Sequence, residues 1–442
     1  MQKRDRPSLA TLLAYASPSL PLAGLGLPLV VHLPTYYSRD IGLPLEAVGY
    51  AFLLVRLIDV LFDPLIGWAM DRTRTPLGRF RPWLIAATPV LMLAAAMLFF
   101  ARPGAGLSYL WFWLLVGYLG FSMGSLSQTA WGAVLSPDYN ERSRIYGFWQ
   151  AGNVVGMLLI LALPPLLDLS PAATVRYMGW FIIVLMPLTV LLASWRVGEP
   201  IEASAHQGGL KEYLALFRFP AVRNLLLADL LLGWAPAITA ALFFFYFDQI
   251  KGVPQQQAQL YLLVYFVSGL IGAPLWAWLA HKIGKHRALA VVCAVIVASL
   301  LILMAVPFSS RPLGIGIMLL GGLPFSGGAL LLRAMLADVG DEVRLVGGAD
   351  RTGLLYSIFT GTRKIADMLA ILTFVILARL GFEASAAGNS QQSLMGLQLL
   401  FVGLPSVIAV LAAFVVLRYP LDARRHAEIR AALERRAALP AS

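Results

Sequence analysis

Twelve apolar runs, each close to the length a helix needs to cross a bilayer, leave this chain few folds to choose from. In the first half they cover about 9–33, 47–70, 82–100, 107–135, 145–167 and 177–195. In the second they cover about 225–247, 260–283, 288–306, 313–337, 354–380 and 397–417. A spanning helix takes roughly 20 residues for ~30 Å of hydrocarbon. In lipid, every backbone group must be paired within its own segment or a closed barrel. Of the 442 residues, 13% are charged, about half the share in a soluble domain. These facts predict an all-α membrane protein with twelve transmembrane helices. Pro and Gly within the runs do not argue against helices, because neighbouring helices satisfy the freed backbone groups.

The net charge of +11 would suggest nucleic acid in a soluble protein, but its placement gives another answer. Lys3, Arg4 and Arg6 precede span one, and Arg72, Arg74, Arg79 and Arg81 follow span two. Arg142 and Arg144 follow span four; Arg196, Lys211, Arg218 and Arg223 follow span six; Lys282, Lys285 and Arg287 follow span eight. Arg418, Arg424, Arg425, Arg430, Arg435 and Arg436 lie in the tail, while Arg39, Arg102, Arg176, Lys251, Arg311 and Arg379 are spread over the odd-numbered connections. By the positive-inside rule both termini and the even-numbered loops are cytoplasmic. The expected setting is a bacterial inner membrane, with the bilayer and a small-molecule substrate as partners, no nucleic acid, and a monomer. The N-terminus lacks a small-residue cleavage site after a short apolar region, so span one is expected to stay in the membrane. Cys293 is the single cysteine, which excludes an internal disulfide and reads as a structural thiol. Zinc spacing, a phosphate loop and a nucleophile elbow are all missing. An enzyme or receptor is therefore disfavoured, and no cofactor is expected.

The longest cytoplasmic connection, 196–222, falls after span six. It divides the chain into six-helix bundles at 1–195 and 223–418, with a tail at 419–442. Within the connection, 210–217 reads as a short amphipathic helix, and 421–438 reads as another. The halves echo each other. Asp63-Pro64-Leu65-Ile66-Gly67-Trp68 leads to the basic turn Gly78-Arg79-Phe80-Arg81. Ala273-Pro274-Leu275-Trp276-Ala277-Trp278, 210 positions later, leads to Gly284-Lys285-His286-Arg287. Such repetition is what alternating-access carriers are built from. The second copy lacks the acidic residues, which places the coupling chemistry in the first half.

Those acidic residues are Asp59 and Asp63, with Arg56 before them. Offsets of three and four put all three on one helix face. A carboxylate at mid-bilayer costs roughly 2.5–3.5 kcal/mol on insertion scales, so two on one helix need a compensating reason, such as a wet interior through which an ion or proton passes. Lys364 lies at similar depth in span eleven, and depth and sign alone pair it with Asp59 or Asp63. The alternative is that Arg56, Asp59, Asp63 and Lys364 merely lock helices two and eleven together. Arg363 projects from another face, and Asp367, at i+4, is its expected partner.

Arg56-Leu-Ile-Asp59-Val-Leu-Phe-Asp63-Pro64-Leu-Ile-Gly67, followed by Asp71-Arg-Thr73 and Gly78-Arg-Phe-Arg-Pro82-Trp83, resembles the signature of the glycoside–pentoside–hexuronide:cation symporters. That is the melibiose-permease-like branch of the major facilitator superfamily. Leu135-Ser-Pro-Asp138-Tyr-Asn-Glu141-Arg142-Ser and Ala337-Asp338-Val-Gly-Asp341 agree. The resemblance implies two six-helix bundles and a cation site at Asp59 and Asp63, with Lys364 and a helix-four hydroxyl that falls at Ser122. Asp71, Arg72, Arg79 and Arg81, with Asp138, Glu141 and Arg142, read as a cytoplasmic gate, or more plainly as orienting charges and helix-end pairs.

The sugar-binding positions of the family fall at Ala23, Ser125, Thr129 and Gln150, and all four differ from the residues that sugar-transporting members carry there. Thr360 agrees. His32, Tyr36, Ser125, Gln128, Gln150, Asn153, Tyr356 and Thr360 form the expected substrate-facing set. They suit hydrogen bonds to a neutral polyol and stacking on a ring. His32 and Pro34 alternatively shape the outer end of helix one, and Trp131 and Trp149 read equally as core or interface aromatics. Phe62 stands where sodium-using relatives carry an amide, removing one oxygen ligand. The balance favours a proton over sodium, which would need Asp59 and Asp63 as metal ligands. Movement of an amphipathic lipid-like or aromatic solute is the rival within transport.

Overall fold

Among the described residues the chain is mainly helical and forms no strand, as internal backbone pairing in lipid requires. The computed structural model describes residues 7–135, 139–199, 215–308, 310–347, 352–384, 388–421 and 423–438. Span one is a broken helix made of α1 (Leu9–Ala16), α2 (Ser19–Leu27), a π-turn (Pro28–His32) and α3 (Leu33–Arg39). The next spans are α4 (Leu45–Arg72), α5 (Arg81–Phe99), α6 (Leu107–Val134), α7 (Tyr139–Leu166) and α8 (Pro171–Arg196). The second half begins with α9 (Pro220–Gln249), α10 (Gln255–Ile283) and α11 (Lys285–Ala305). Span ten is α12 (Arg311–Gly322) and α13 (Phe325–Gly347), and span eleven is α14 (Thr352–Arg379). Span twelve is α15 (Gln391–Gln398), a π-turn (Leu399–Gly403) and α16 (Leu404–Leu417), followed by the tail helix α17 (Ala423–Ala438).

Among the described residues, ten spans are long and apolar enough to cross a membrane by length and composition. The other two are α4 and α14, each 28 residues long, which carry Arg56, Asp59 and Asp63, and Arg363, Lys364 and Asp367. Both π-turns run into a helix with a proline at its start, Pro34 and Pro405. A proline has no N–H to offer the residue four before it, and a widened turn is one way to absorb the mismatch. Asp338 and Asp341, beyond the apolar run of span ten, prove to lie within α13 rather than in a loop. The expected helix at 210–217 falls largely outside the described residues.

Contacts divide the chain into two compact units. One holds Met1–Ala205, Pro254–Leu260 and Phe374–Ser390; the other holds His206–Val253, Tyr261–Thr373 and Gln391–Ser442. In the first, α5 packs on α6 and α8, α2 on α7, and α4 on α6. Gly152 and Gly156 on α7 permit the closest approach. A Cβ at Gly156 would lie 2.6 Å from Leu20 Cα, and one at Gly152 2.8 Å from the Ala16 carbonyl oxygen. Small residues four apart let membrane helices meet at the backbone, where dispersion replaces the missing hydrophobic drive. In the second unit α16 packs on α9 and α11, and α13 on both of those helices. Cys293 sits buried in that core, as a structural thiol should. The sequence echo also has a backbone counterpart, because both turn glycines have positive φ: Gly78 at 112° and Gly284 at 89°.

The tail helix is not left loose in solvent. Ile429, on its apolar side, is buried in the core of the second unit. His426 Nε2 lies 3.0 Å from Asp341 Oδ2 and 3.5 Å from Asp338 Oδ1. Lys285 Nζ holds Asp338 from α11, at 2.7 Å and 2.6 Å from its two oxygens.

Candidate functional site

Helix α4 presents Arg56, Asp59 and Asp63 on one face because they are spaced three and four apart. Packing of α4 on α6 then brings a hydroxyl to the carboxylate. Ser122 Oγ donates to Asp59 Oδ1 at 2.6 Å, and Arg56 Nη1 donates to Asp59 Oδ2 at 3.2 Å. Asp59 is 3% exposed and Arg56 8%. The Arg56 guanidinium also stacks over Tyr118, 4.8 Å from its centroid. A buried pair of this kind is tolerable only because hydrogen bonds satisfy what desolvation removes. Asp63 lies half-buried one turn on. Pro64 follows it inside the helix, so the Val60 carbonyl has no helical N–H to accept and remains an oxygen on this stretch of wall. The observed contact is between Asp59 and Ser122, with Asp63 one turn further along the same helix face.

The substrate-facing set is only partly gathered. Gln128 is 1% exposed. Its Nε2 donates to the Tyr15 carbonyl at 3.0 Å, and Tyr15 Oη donates back to the Gln128 carbonyl at 2.9 Å. That reciprocal pair ties α1 to α6. Trp131 is fully buried edge-on to Tyr15, at 6.0 Å, and so belongs to the core. Tyr36 Oη donates to the Ala101 carbonyl at 2.7 Å, and Asn153 Nδ2 to the Trp149 carbonyl at 3.0 Å. Ser125 Oγ donates a long bond, 3.4 Å, to the Ser122 carbonyl. His32 is buried within the first π-turn, whereas Gln150 and Thr360 are exposed. Lys364 is half-buried in the second unit, and Arg363 pairs with Asp367 at 3.6 Å. The side chains of Asp71, Glu141, Arg142 and Tyr356, and all of Asp138, lie outside the described residues.

The basic turn after α4 is built around an anion that sequence reasoning passes over. The Glu199 carboxylate, just past α8, accepts the backbone N–H groups of Arg79 at 2.7 Å and of Phe80 and Arg81 at 3.0 Å each. These are the orphan donors at the start of α5, where a negative charge is favoured. Arg81 Nη2 reaches the Ser194 carbonyl, Arg79 Nε donates to the Met70 carbonyl at 3.3 Å, and Arg72 stacks on Trp68 at 3.8 Å. Burial pushes the Arg79 guanidinium below its ordinary range, and the Glu199 charge opposes that shift. The bonds of Arg79 and Arg81 thus fasten α4, α5 and α8 of the first unit together. Gly78 has φ 112°, and a Cβ there would come 2.6 Å from Glu199 Cδ, so the glycine is needed for both conformation and room. Glu199→Ala is expected to lower stability by about 1–2 kcal/mol, with Glu199→Gln recovering part of the loss; thermal unfolding of the purified protein checks both.

A second missed residue is Asp229 on α9, 7% exposed, whose carboxyl contacts Thr362 Oγ1 of α14. It lies inside an apolar run, and an ionisable side chain at that depth is itself the signal that would have found it.

The family that the chain matches is one of membrane transporters, not enzymes. The chain matches the family described as MFS/sugar transport protein over residues 14–423, and it belongs to that family, the melibiose-permease-like symporters of the major facilitator superfamily. It is 23% identical over 452 residues to the sphingosine-1-phosphate transporter MFSD2B of Mus musculus, covering 95% of this chain and 90% of that one. It is 25% identical over 404 residues to the lactose permease of Lactobacillus delbrueckii subsp. bulgaricus, covering 85% of this chain and 64% of that protein. In fold it resembles the nucleoside transporter NupG, with a TM-score of 0.67 at 12% identity over 93% of this chain and 99% of that one.

Proposed function

We propose that this protein is a secondary active transporter that couples a cation, a proton before sodium, to import of a small polar solute, a sugar or glycoside, by alternating access. The observation that carries the reading is the buried Asp59, held by Arg56 at 3.2 Å and Ser122 at 2.6 Å in a membrane-spanning helix. A charge arrangement this costly in lipid has little structural return that an apolar contact would not supply better. Asp59, Asp63, Ser122 and Lys364 are the coupling residues in this reading. A proton fits better than sodium. Arg56 already sits on one Asp59 oxygen, the Phe62 side chain offers no ligand, and sodium asks for several oxygens. The cytoplasmic placement of both termini rests on the loop charges, and the bacterial relatives support an inner-membrane setting.

The test is uptake of radiolabelled sugars into vesicles carrying the protein, under an imposed pH or sodium gradient. Accumulation that collapses with a protonophore and ignores sodium supports the proposal; uptake indifferent to both gradients overturns it. A second reading, transport of an amphipathic lipid-like solute, draws on the mouse relative, whose name states sphingosine-1-phosphate transport. It also draws on Ala23, which is apolar where sugar-transporting members carry an aspartate. Competition by lysolipids in the same assay separates the two.

A further inference from the structure

Asp229 lies nine residues into α9 and Thr362 ten residues into α14, about 14 and 15 Å along their helices. Among the described residues, the carboxyl makes one hydrogen bond, to Thr362 Oγ1, and no cation stands within ion-pair distance. Arg363, the nearest in sequence to that contact, is turned to Asp367 at 3.6 Å, with its stem against Gly233, one turn beyond Asp229. Among the described residues, the charged and titratable groups around the carboxyl are Arg363 on α14, Arg333 on α13 and, beside Arg363, Tyr265 on α10. Asp59 has a guanidinium on it; Asp229 does not.

Proton counting favours the neutral form of this carboxyl. Thr362 Oγ1 has a single hydrogen and two oxygen neighbours, Asp229 Oδ2 and the Phe359 carbonyl at 2.7 Å. If Asp229 is ionised, the single hydroxyl proton is shared between the carboxylate and the Phe359 carbonyl, so the buried charge receives only part of one hydrogen bond. If Asp229 is a carboxylic acid, its O–H donates to Thr362 and the threonine donates onward to Phe359, so every contact has its proton. The neutral form also avoids an uncompensated charge in lipid.

We propose that Asp229 and Thr362 form a proton-binding site in the second unit, distinct from the Asp59–Ser122 site. Asp229 holds a proton while it is joined to Thr362. Separation of α9 from α14 lets it release that proton to water, leaving a carboxylate for Arg363 or Arg333 to neutralise. The protonation state stands on the geometry alone; its use in transport rests on the symport reading.

Infrared spectroscopy of the purified full-length protein in nanodiscs tests the protonation directly. The carbonyl stretch of a protonated carboxyl at neutral pH, shifted in heavy water, is expected in the wild type and in Asp59→Asn, and lost in Asp229→Asn. Thr362→Val should move the band to higher frequency by removing its acceptor, and Thr362→Ser should restore it. A spectrum unchanged by Asp229→Asn overturns the proposal. Should that variant fail to fold, an identical band in the Thr362→Val and Thr362→Ser proteins overturns it as well. Failure of gradient-driven uptake with these bands intact would count against the symport reading and leave the site standing.

Discussion

The Asp59→Asn protein is expected to carry its solute down a gradient but not to accumulate it. A membrane potential of ~100 mV is worth about 2.3 kcal/mol per proton, and each 1.4 kcal/mol is a tenfold concentration ratio, so one proton supports up to about 50-fold accumulation. Asparagine keeps the size of aspartate and still accepts the Ser122 hydrogen bond, but it cannot exchange a proton. The accumulation ratio should fall from that ceiling to about one, while solute exchange across vesicles with no ion gradient survives. Undiminished accumulation in this variant would remove Asp59 from the coupling mechanism. Asp63→Asn, measured alongside, tells whether the half-buried second carboxylate shares the task.

The largest stability effect is expected at Arg56. Truncation to Ala leaves the Asp59 carboxyl buried without its partner, and breaking a buried pair this way costs about 3–5 kcal/mol. The stacking of the guanidinium over Tyr118 is lost as well, which adds to the penalty. Combining the change with Asp59→Asn removes both charges, so the double variant should be more stable than Arg56→Ala alone. The two effects are then far from additive in thermal or denaturant unfolding. If the two losses simply sum, Arg56 and Asp59 do not act on each other, and the 3.2 Å contact carries no net energy.

Much of this architecture was legible in the order of residues. Twelve spans could be counted because lipid demands about 20 apolar residues per crossing, and the charged helices α4 and α14 were evident from their exceptions to that rule. The i+3 and i+4 spacing of Arg56, Asp59 and Asp63 is a property of helical geometry, as is the Arg363–Asp367 pair. Ser122 entered through family resemblance, and the packing of α4 on α6 sets its oxygen against Asp59. Gln128 was harder. A polar side chain in an apolar span reads as cavity-facing, yet it ties α1 to α6 through Tyr15, because helix rotation is set by packing and not by composition.

The sequence by itself determined the spans and the single helix face bearing the acid–base set, since each depends only on local length and period. The tertiary structure alone decided which distant groups meet. It put Glu199 on the N–H groups of Arg79, Phe80 and Arg81, His426 on the acidic end of α13, and Asp229 on Thr362. Those contacts join segments 85 to 133 positions apart. No local period reports them, because the free energy that selects them comes from burying whole helix faces against one another.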